Sequence, residues 1–257
     1  MVTTDFRTGS PNWLDLGSPD PGAAAAFYGA VFGWSFASAG PQAGGYGFFQ
    51  QGGRTVAALG PLTEPGAVSA WTLYFLTPDA DATAKGVEQG GGTVRMAPGD
   101  VFDAGRMAAF TDPTGGQFAV WQPARTKGLD EVGAPGSFVW AELHSADVPR
   151  ALAFYRGVFG WRTQEFEGSS DYVVLSTADG DQQEAGFGGA APLHAELSPG
   201  WLPYFATEDP DAVVAAATAG GGSVVVAAAD VPGAGRLAVL KDPFGAAFAV
   251  LRPDPRM

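Results

Sequence analysis

Asp15, Glu142 and His144 are the side chains whose type and spacing best suit proton transfer. They lie in two short alternating segments, WLDLG from Trp13 and WAELH from Trp140. Residues two apart on a strand share a face, so Trp13, Asp15 and Gly17 form one row and Trp140, Glu142 and His144 another. Leu14, Leu16, Ala141 and Leu143 form the opposite, apolar row, which predicts that they pack on helices while the mixed row faces a cleft. A carboxylate beside indole in apolar surroundings has its pKa raised by desolvation and can act as general acid or base. The alternative is a structural carboxylate bonded to a backbone N–H or an arginine. Arg106 and Arg236, each following a glycine, are candidates for that pairing or for binding a ligand anion. His144 with Glu142 is a candidate acid–base pair. His194 and Glu196 could join it as a weak metal set, although no spacing demands one.

The walls of such a cleft would be aromatic. Trp13, Trp71, Trp140 and Trp201 each open a strand, and the choice for each is core filler or stacking surface for a flat ligand. Trp121 shares the face of Ala119, whereas its counterpart is Leu251. Tyr46 and Tyr172 occupy matching strands and offer phenols to a pocket. Trp34 and Trp161 follow helix stops and are expected to staple helix ends to the sheet.

These pairings come from a duplication. Trp13 matches Trp140, Trp34 matches Trp161 and Trp71 matches Trp201, six of the seven tryptophans. PDPGAAAAFYGAVFGW from Pro19 aligns with ADVPRALAFYRGVFGW from Ala146. DVFDAGRMAAFTDPTGGQFAVWQP likewise aligns with DVPGAGRLAVLKDPFGAAFAVLRP. Self-similarity on this scale marks a repeated structural unit.

Within each half two smaller units follow one plan. Trp13 to Gly17 reads as a strand. Asp20 fits an N-cap with Pro21 at the first helical position, and Gly33 fits the stop. Strands at Gly47 to Gln50 and Thr55 to Leu59 come next. The second unit repeats the order: a strand from Trp71 to Leu76, a helix opened by Asp79 and ended by Gly90 to Gly92, and strands near Val94, Arg106 to Phe110 and Gln117 to Trp121. The plan is βαβββ four times, in two repeats over residues 1–123 and 137–257. A Gly- and Pro-rich linker, residues 124–136, joins them, and its stretch near Gly128 to Gly136 is expected to be exposed. The glycine triplets follow helices, so they read as helix stops and not phosphate cradles.

Composition narrows the function classes. A net charge of −13 disfavours nucleic acid as a partner. Cysteine is absent, which excludes thiolate chemistry and disulfides. No secretory signal is visible at the start. The apolar stretch from Ala212 to Ala229 is broken by Gly220 to Gly222, so it reads as helix then strand and not as a membrane span. A cytoplasmic location is the default expectation, as monomer or homodimer. Serine-hydrolase, Walker and Rossmann patterns are missing from any proper context.

The order of elements, with "AFYxxVFGW" and "DPxGxxFxV", resembles the vicinal oxygen chelate superfamily, which includes glyoxalase I, bleomycin-resistance proteins and extradiol dioxygenases. The resemblance covers residues 10–123 and 137–253. It is closest to two-repeat glyoxalase-like or "hydroxylase" proteins. It implies an α+β fold in which pairs of βαβββ modules curl mixed sheets around clefts. Catalytic members place a His or Gln early in a module's first strand and a Glu in its last. The matching positions here are Trp13, Trp71, Trp140, Trp201, Ala119 and Ala249, none of them a metal ligand. The resemblance therefore implies a small-molecule protein working without metal or other cofactor: a binder of aromatic or apolar compounds, such as a natural product or drug, as in the bleomycin-resistance relatives. The alternative is a metal-independent isomerase, cyclase or lyase using Asp15, Glu142 or His144. The expected ligand wall is Trp13, Tyr46, Trp71, Trp121, Trp140, Tyr172 and Trp201.

Overall fold

A computed structural model describes residues 2–64, 66–166, 171–179 and 186–254. The βαβββ plan recurs four times. The first module is β1 (Pro11–Ser18), α1 (Pro21–Phe32), β2 (Ser35–Ser38), β3 (Gly47–Gln51) and β4 (Arg54–Pro61). The second is β5 (Ala70–Leu76), α2 (Ala80–Gln89), β6 (Thr93–Val101), β7 (Gly105–Thr111) and β8 (Gln117–Pro123). The third is β9 (Phe138–Ser145), α3 (Val148–Phe159), β10 (Arg162–Glu165), β11 (Val173–Ser176) and β12 (Gly186–Pro192). The fourth is β13 (Gly200–Ala206), α4 (Pro210–Ala219), β14 (Ser223–Val231), β15 (Gly235–Lys241) and β16 (Ala247–Pro253). Among the described residues no helix is long and apolar enough to cross a membrane. The fold is α+β, as the element order implied. Strand β2 was not foreseen: its residues, SFAS, are mostly exposed and have too little alternation to register as a strand.

In every module the first strand runs parallel to the last, and the other two continue antiparallel, as in β1–β4–β3–β2. Each helix is opened by its aspartate. Asp20, Asp79, Asp147 and Asp209 accept backbone N–H groups from the first helical turn. Gly33 and Gly160 end α1 and α3 in the left-handed region, with φ 74 and 70, where a residue without Cβ is favoured.

The chain divides into two compact units that do not follow the repeat. One holds residues 1–13, 72–128 and 140–202, and the other residues 14–71, 129–139 and 203–257. The first unit therefore contains most of the second and third modules, and α2 packs on α3. The second contains most of the first and fourth, and α1 packs on α4.

The glycine triplets belong to this helix packing. Gly221 has φ 89, and a Cβ on Gly222 would come within 2.7 Å of the Lys241 carbonyl and 3.0 Å of the Ala217 carbonyl. The Phe27 ring of α1 lies against both Gly220 and Gly222. Gly90 and Gly92 receive Phe154 of α3 in the same way. Because the atoms facing Gly222 are backbone, they have little room to give. Gly222→Ala should cost about 1–3 kcal/mol in chemical denaturation, and an unchanged midpoint would show that this close approach does not matter.

The strongest sequence motifs build the core of each unit. In one, Tyr155 donates its hydroxyl to Asp112 Oδ2 at 3.0 Å and accepts Trp201 Nε1–H at 2.9 Å. In the other, Tyr28 donates to Asp242 Oδ2 at 3.3 Å and accepts Trp71 Nε1–H at 3.0 Å. Thus the tyrosine of "AFYxxVFGW" in one half meets the aspartate of the "DPxG" turn in the other half. The same aspartates close their turns, Asp112 onto Thr114 and Gly116 N–H, Asp242 onto Phe244 and Ala246 N–H. Trp161 Nε1 donates to the Gly9 carbonyl and Trp34 Nε1 to the Gly136 carbonyl, which staples the helix ends as expected.

Most of the linker is at least partly exposed, and it is also anchored. Leu129 and Gly136 are buried. Lys127 C=O accepts Asn12 Nδ2–H, Thr126 C=O accepts Trp121 Nε1–H, and Asp130 Oδ2 accepts Thr55 N–H. Its Gly and Pro content marked irregular backbone correctly but could not reveal these partners.

Candidate functional site

The alternation in β1 and β9 places Leu14, Leu16, Ala141 and Leu143 in the core at 1% exposure or less. Trp13 and Trp140 are half-buried on the opposite rows. The carboxylates of these rows each meet a phenol. Tyr46 donates its hydroxyl to Asp15 Oδ2 at 3.0 Å. The Tyr172 hydroxyl, which accepts Trp140 Nε1–H at 2.9 Å, hydrogen-bonds the Glu142 carboxylate. Tyr46 and Tyr172 each stand immediately before a strand, β3 and β11, and lie over Gly60 and Gly189 respectively. A Cβ at Gly189 would collide with the Tyr172 phenol, so that glycine fixes where the ring rests.

The third module adds His144. Its Nε2 lies 2.8 Å from Glu142 Oε1, with 9% and 11% of the two side chains exposed. That oxygen is off the ring N–H direction: neither His144 nitrogen has a directed hydrogen bond among the described residues. The two side chains are therefore in short polar contact without a directed hydrogen bond. Trp140, Tyr172, Glu142 and His144 thus form one connected row. In the first module Gly17 stands where His144 does, and only the Asp15–Tyr46 pair remains.

Burial holds the Tyr172 phenol well above its ordinary pKa, and the nearby Glu142 charge adds to the shift. Burial does the same for Tyr28 and Tyr155, reinforced by Asp242 and Asp112. A phenol with its pKa raised in the folded state contributes stability that is intact below the ordinary value of 10.0 and is lost as pH rises above it. In an ultraviolet alkaline titration these three tyrosines should ionise together with loss of the fold. Smooth ionisation of all six tyrosines near pH 10 in a still-folded protein would contradict the burial.

Trp71 and Trp201 do not join these rows. Both are 7% exposed, and their indoles donate to the core tyrosines Tyr28 and Tyr155. The reason is parity. Trp13 and Trp140 stand seven residues before the helix-capping aspartates Asp20 and Asp147, whereas Trp71 and Trp201 stand eight before Asp79 and Asp209. One extra residue on a strand turns a side chain to the other face. Tyr74 takes the opposite face of β5 and packs with Ala109, Ala119 and Trp121; Trp13, Val101, Ala104 and Met107 pack against that cluster. The Tyr74 role was missed because Trp71 drew the assignment, although the spacing to Asp79 contained the signal.

Other expected partners are elsewhere. Arg106 is held by Asp81 and Asp100, and Arg236 by Asp211 and Asp230. Both are thus occupied by carboxylates of their own modules and serve neither Asp15 nor Glu142. His194 Nδ1 accepts the Glu196 N–H within its own loop. Among the described residues no group of three His, Asp or Glu side chains is arranged to hold a metal.

Residues 10–120 and 137–250 match the Glyoxalase/Bleomycin resistance protein/Dioxygenase superfamily, and the chain belongs to that family. It is 40% identical over 262 residues to the putative glyoxylase CFP32 of Mycobacterium tuberculosis, covering 98% of each chain. It is 41% identical over 267 residues to the anthracycline biosynthesis protein DnrV of Streptomyces peucetius, covering 96% of this chain and 94% of that protein. Its fold is similar to that of the Mn(II)-bound glyoxalase from Novosphingobium aromaticivorans. The TM-score is 0.65 at 17% identity, covering 97% of this chain and 89% of the other.

A metal of the kind some family members use does not fit this donor set. Trp13 and Trp140 offer only N–H donors. Correcting the parity replaces Trp71 and Trp201 by Thr72 and Leu202, which adds at most one hydroxyl. Ala119 and Ala249, both 0% exposed, offer methyl groups. Trp13 in fact packs against the cluster containing Ala119, so apolar contact occupies the place where two ligands would be needed.

Proposed function

We propose that this protein binds an aromatic or largely apolar small molecule without a metal ion, on the row formed by Trp140, Tyr172, Glu142 and His144. The observation that carries the reading is that row itself: a half-buried indole beside a hydrogen-bonded phenol, carboxylate and imidazole, in a chain whose metal-ligand positions hold Trp and Ala. An indole face suits a flat ring, and a few convergent polar groups orient it. Tyr46 with Asp15 forms the simpler counterpart pair in the first repeat, and Trp13, Tyr74 and Trp121 form a separate apolar cluster. Trp71 and Trp201 support the core from behind. Two Streptomyces relatives are named for anthracycline biosynthesis, which makes anthracyclines the first compounds to try.

One observation favours a second reading, metal-independent acid–base catalysis. His144 and Glu142 touch at 2.8 Å while both histidine nitrogens lack directed partners among the described residues, as a group awaiting a substrate proton would. The binding reading is tested by titrating chelator-treated protein with a panel of flat aromatic compounds, anthracyclines included, and following Trp emission. Saturable quenching at one equivalent supports it, and no response from any compound refutes it. Conversion of a bound compound that is lost in Glu142→Gln would establish the catalytic reading instead.

A further inference from the structure

His144 is one of two histidines in the chain, and it is only 7% exposed. The rest of its row is satisfied. Trp140 donates to Tyr172, and Tyr172 bonds Glu142. The sequence of contacts ends on an imidazole whose nitrogens have no directed partner among the described residues. Buried polar atoms in that state are uncommon and lose free energy that a ligand hydrogen bond would return. Nε2 lies 2.8 Å from the Glu142 carboxylate, which leaves Nδ1 as the ring nitrogen for a ligand. The duplication isolates what is special here. Asp15 with Tyr46 reproduces Glu142 with Tyr172, but Gly17 replaces His144, so the histidine is an addition to a shared carboxylate–phenol pair.

Resting on the aromatic-site reading above, we infer that the ligand bears a phenolic or enolic hydroxyl and that His144 Nδ1 takes its proton. The step moves one proton: the ligand O–H bond breaks, an N–H bond forms at Nδ1, and the electron pair stays on the ligand oxygen. The imidazolium then faces the Glu142 carboxylate, which offsets the charge created in a nearly buried position. His144 is the proton acceptor, Glu142 is a positioning residue, and the Trp140 indole supplies the stacking face.

The test uses a chromophoric phenol, 4-nitrophenol, and its non-ionisable methyl ether, 4-nitroanisole. The buffer is held about one unit below the phenol's own pKa, so that about a tenth of it is ionised when free. Quenching of Trp emission reports binding, and the phenolate absorbance separately reports ionisation. Bound 4-nitrophenol is expected to be mostly ionised, and 4-nitroanisole to bind at least roughly tenfold more weakly. His144→Gln and His144→Asn, checked for an unchanged melting temperature, should bind the phenol without the phenolate band. Glu142→Gln should reduce the band, and His194→Gln should leave it intact. Quenching without ionisation in the unaltered protein, or a band that survives both His144 substitutions, overturns the inference while leaving the binding reading in place. The absence of quenching by either compound overturns the inference, while the binding reading falls only if the whole aromatic panel is silent.

Discussion

Trp201→Ala should destabilise the protein by about 3–5 kcal/mol, the range for deleting a large aromatic side chain from a packed core. Trp201 is 7% exposed and lies with ring centroids 5.0 Å from Phe75, 5.4 Å from Tyr155 and 5.7 Å from Trp161. Its N–H also holds the Tyr155 hydroxyl, which in turn holds Asp112. The substitution therefore opens a cavity and removes one hydrogen bond from a buried triad. Urea denaturation reads the loss directly. A variant as stable as the parent would place this indole on an open face, and the parity argument for β13 would be wrong.

Trp140→Ala should have the opposite profile. Its indole is half-buried, so the fold should lose less than with Trp201→Ala, while ligand affinity should fall by about 1–3 kcal/mol, roughly ten- to a hundredfold. Calorimetric titration is the suitable readout, since the other tryptophans complicate emission in the variant. Trp140→Phe keeps a flat face but loses the N–H that meets Tyr172, and should recover most of the affinity. On the proposed function, two tryptophans that open equivalent-looking strands would thus separate into a core residue and a site residue. Equal effects of the two substitutions on stability, with none on binding, would remove Trp140 from the site.

The fold was legible because its signals are local and repeated. Asp20, Asp79, Asp147 and Asp209 each announce a helix start, and Gly33 and Gly160 each announce a stop. Leu14 and Leu16 against Trp13 and Asp15 fixed the orientation of β1, and their counterparts fixed β9. What escaped depended on parity or on distance. Trp71 and Trp201 resemble Trp13 and Trp140 in position, yet one additional residue before the cap reverses their faces. Arg106 finds Asp81 and Asp100 through hairpin and helix geometry that no short motif encodes. The meeting of Tyr28 with Asp242 and of Tyr155 with Asp112 joins the two most recognisable motifs across halves. Each motif was visible in the sequence, but their partnership was not. The grouping of the second module with the third, and of the first with the fourth, is likewise absent from the linear repeat. At the candidate site, Glu142, His144, Trp140 and Tyr172 were each singled out by type and face. Their linkage into one row required coordinates, because Tyr172 arrives from another strand.

Metal-independent binding is tested by ligand affinity determined by calorimetry before and after exhaustive treatment with a chelator, with elemental analysis of both samples. The same dissociation constant is expected in both, with less than about a tenth of an equivalent of any transition metal, because Trp13, Trp140, Ala119 and Ala249 provide no donor set. Affinity that disappears with the chelator and returns with Mn(II) or Zn(II) would contradict it.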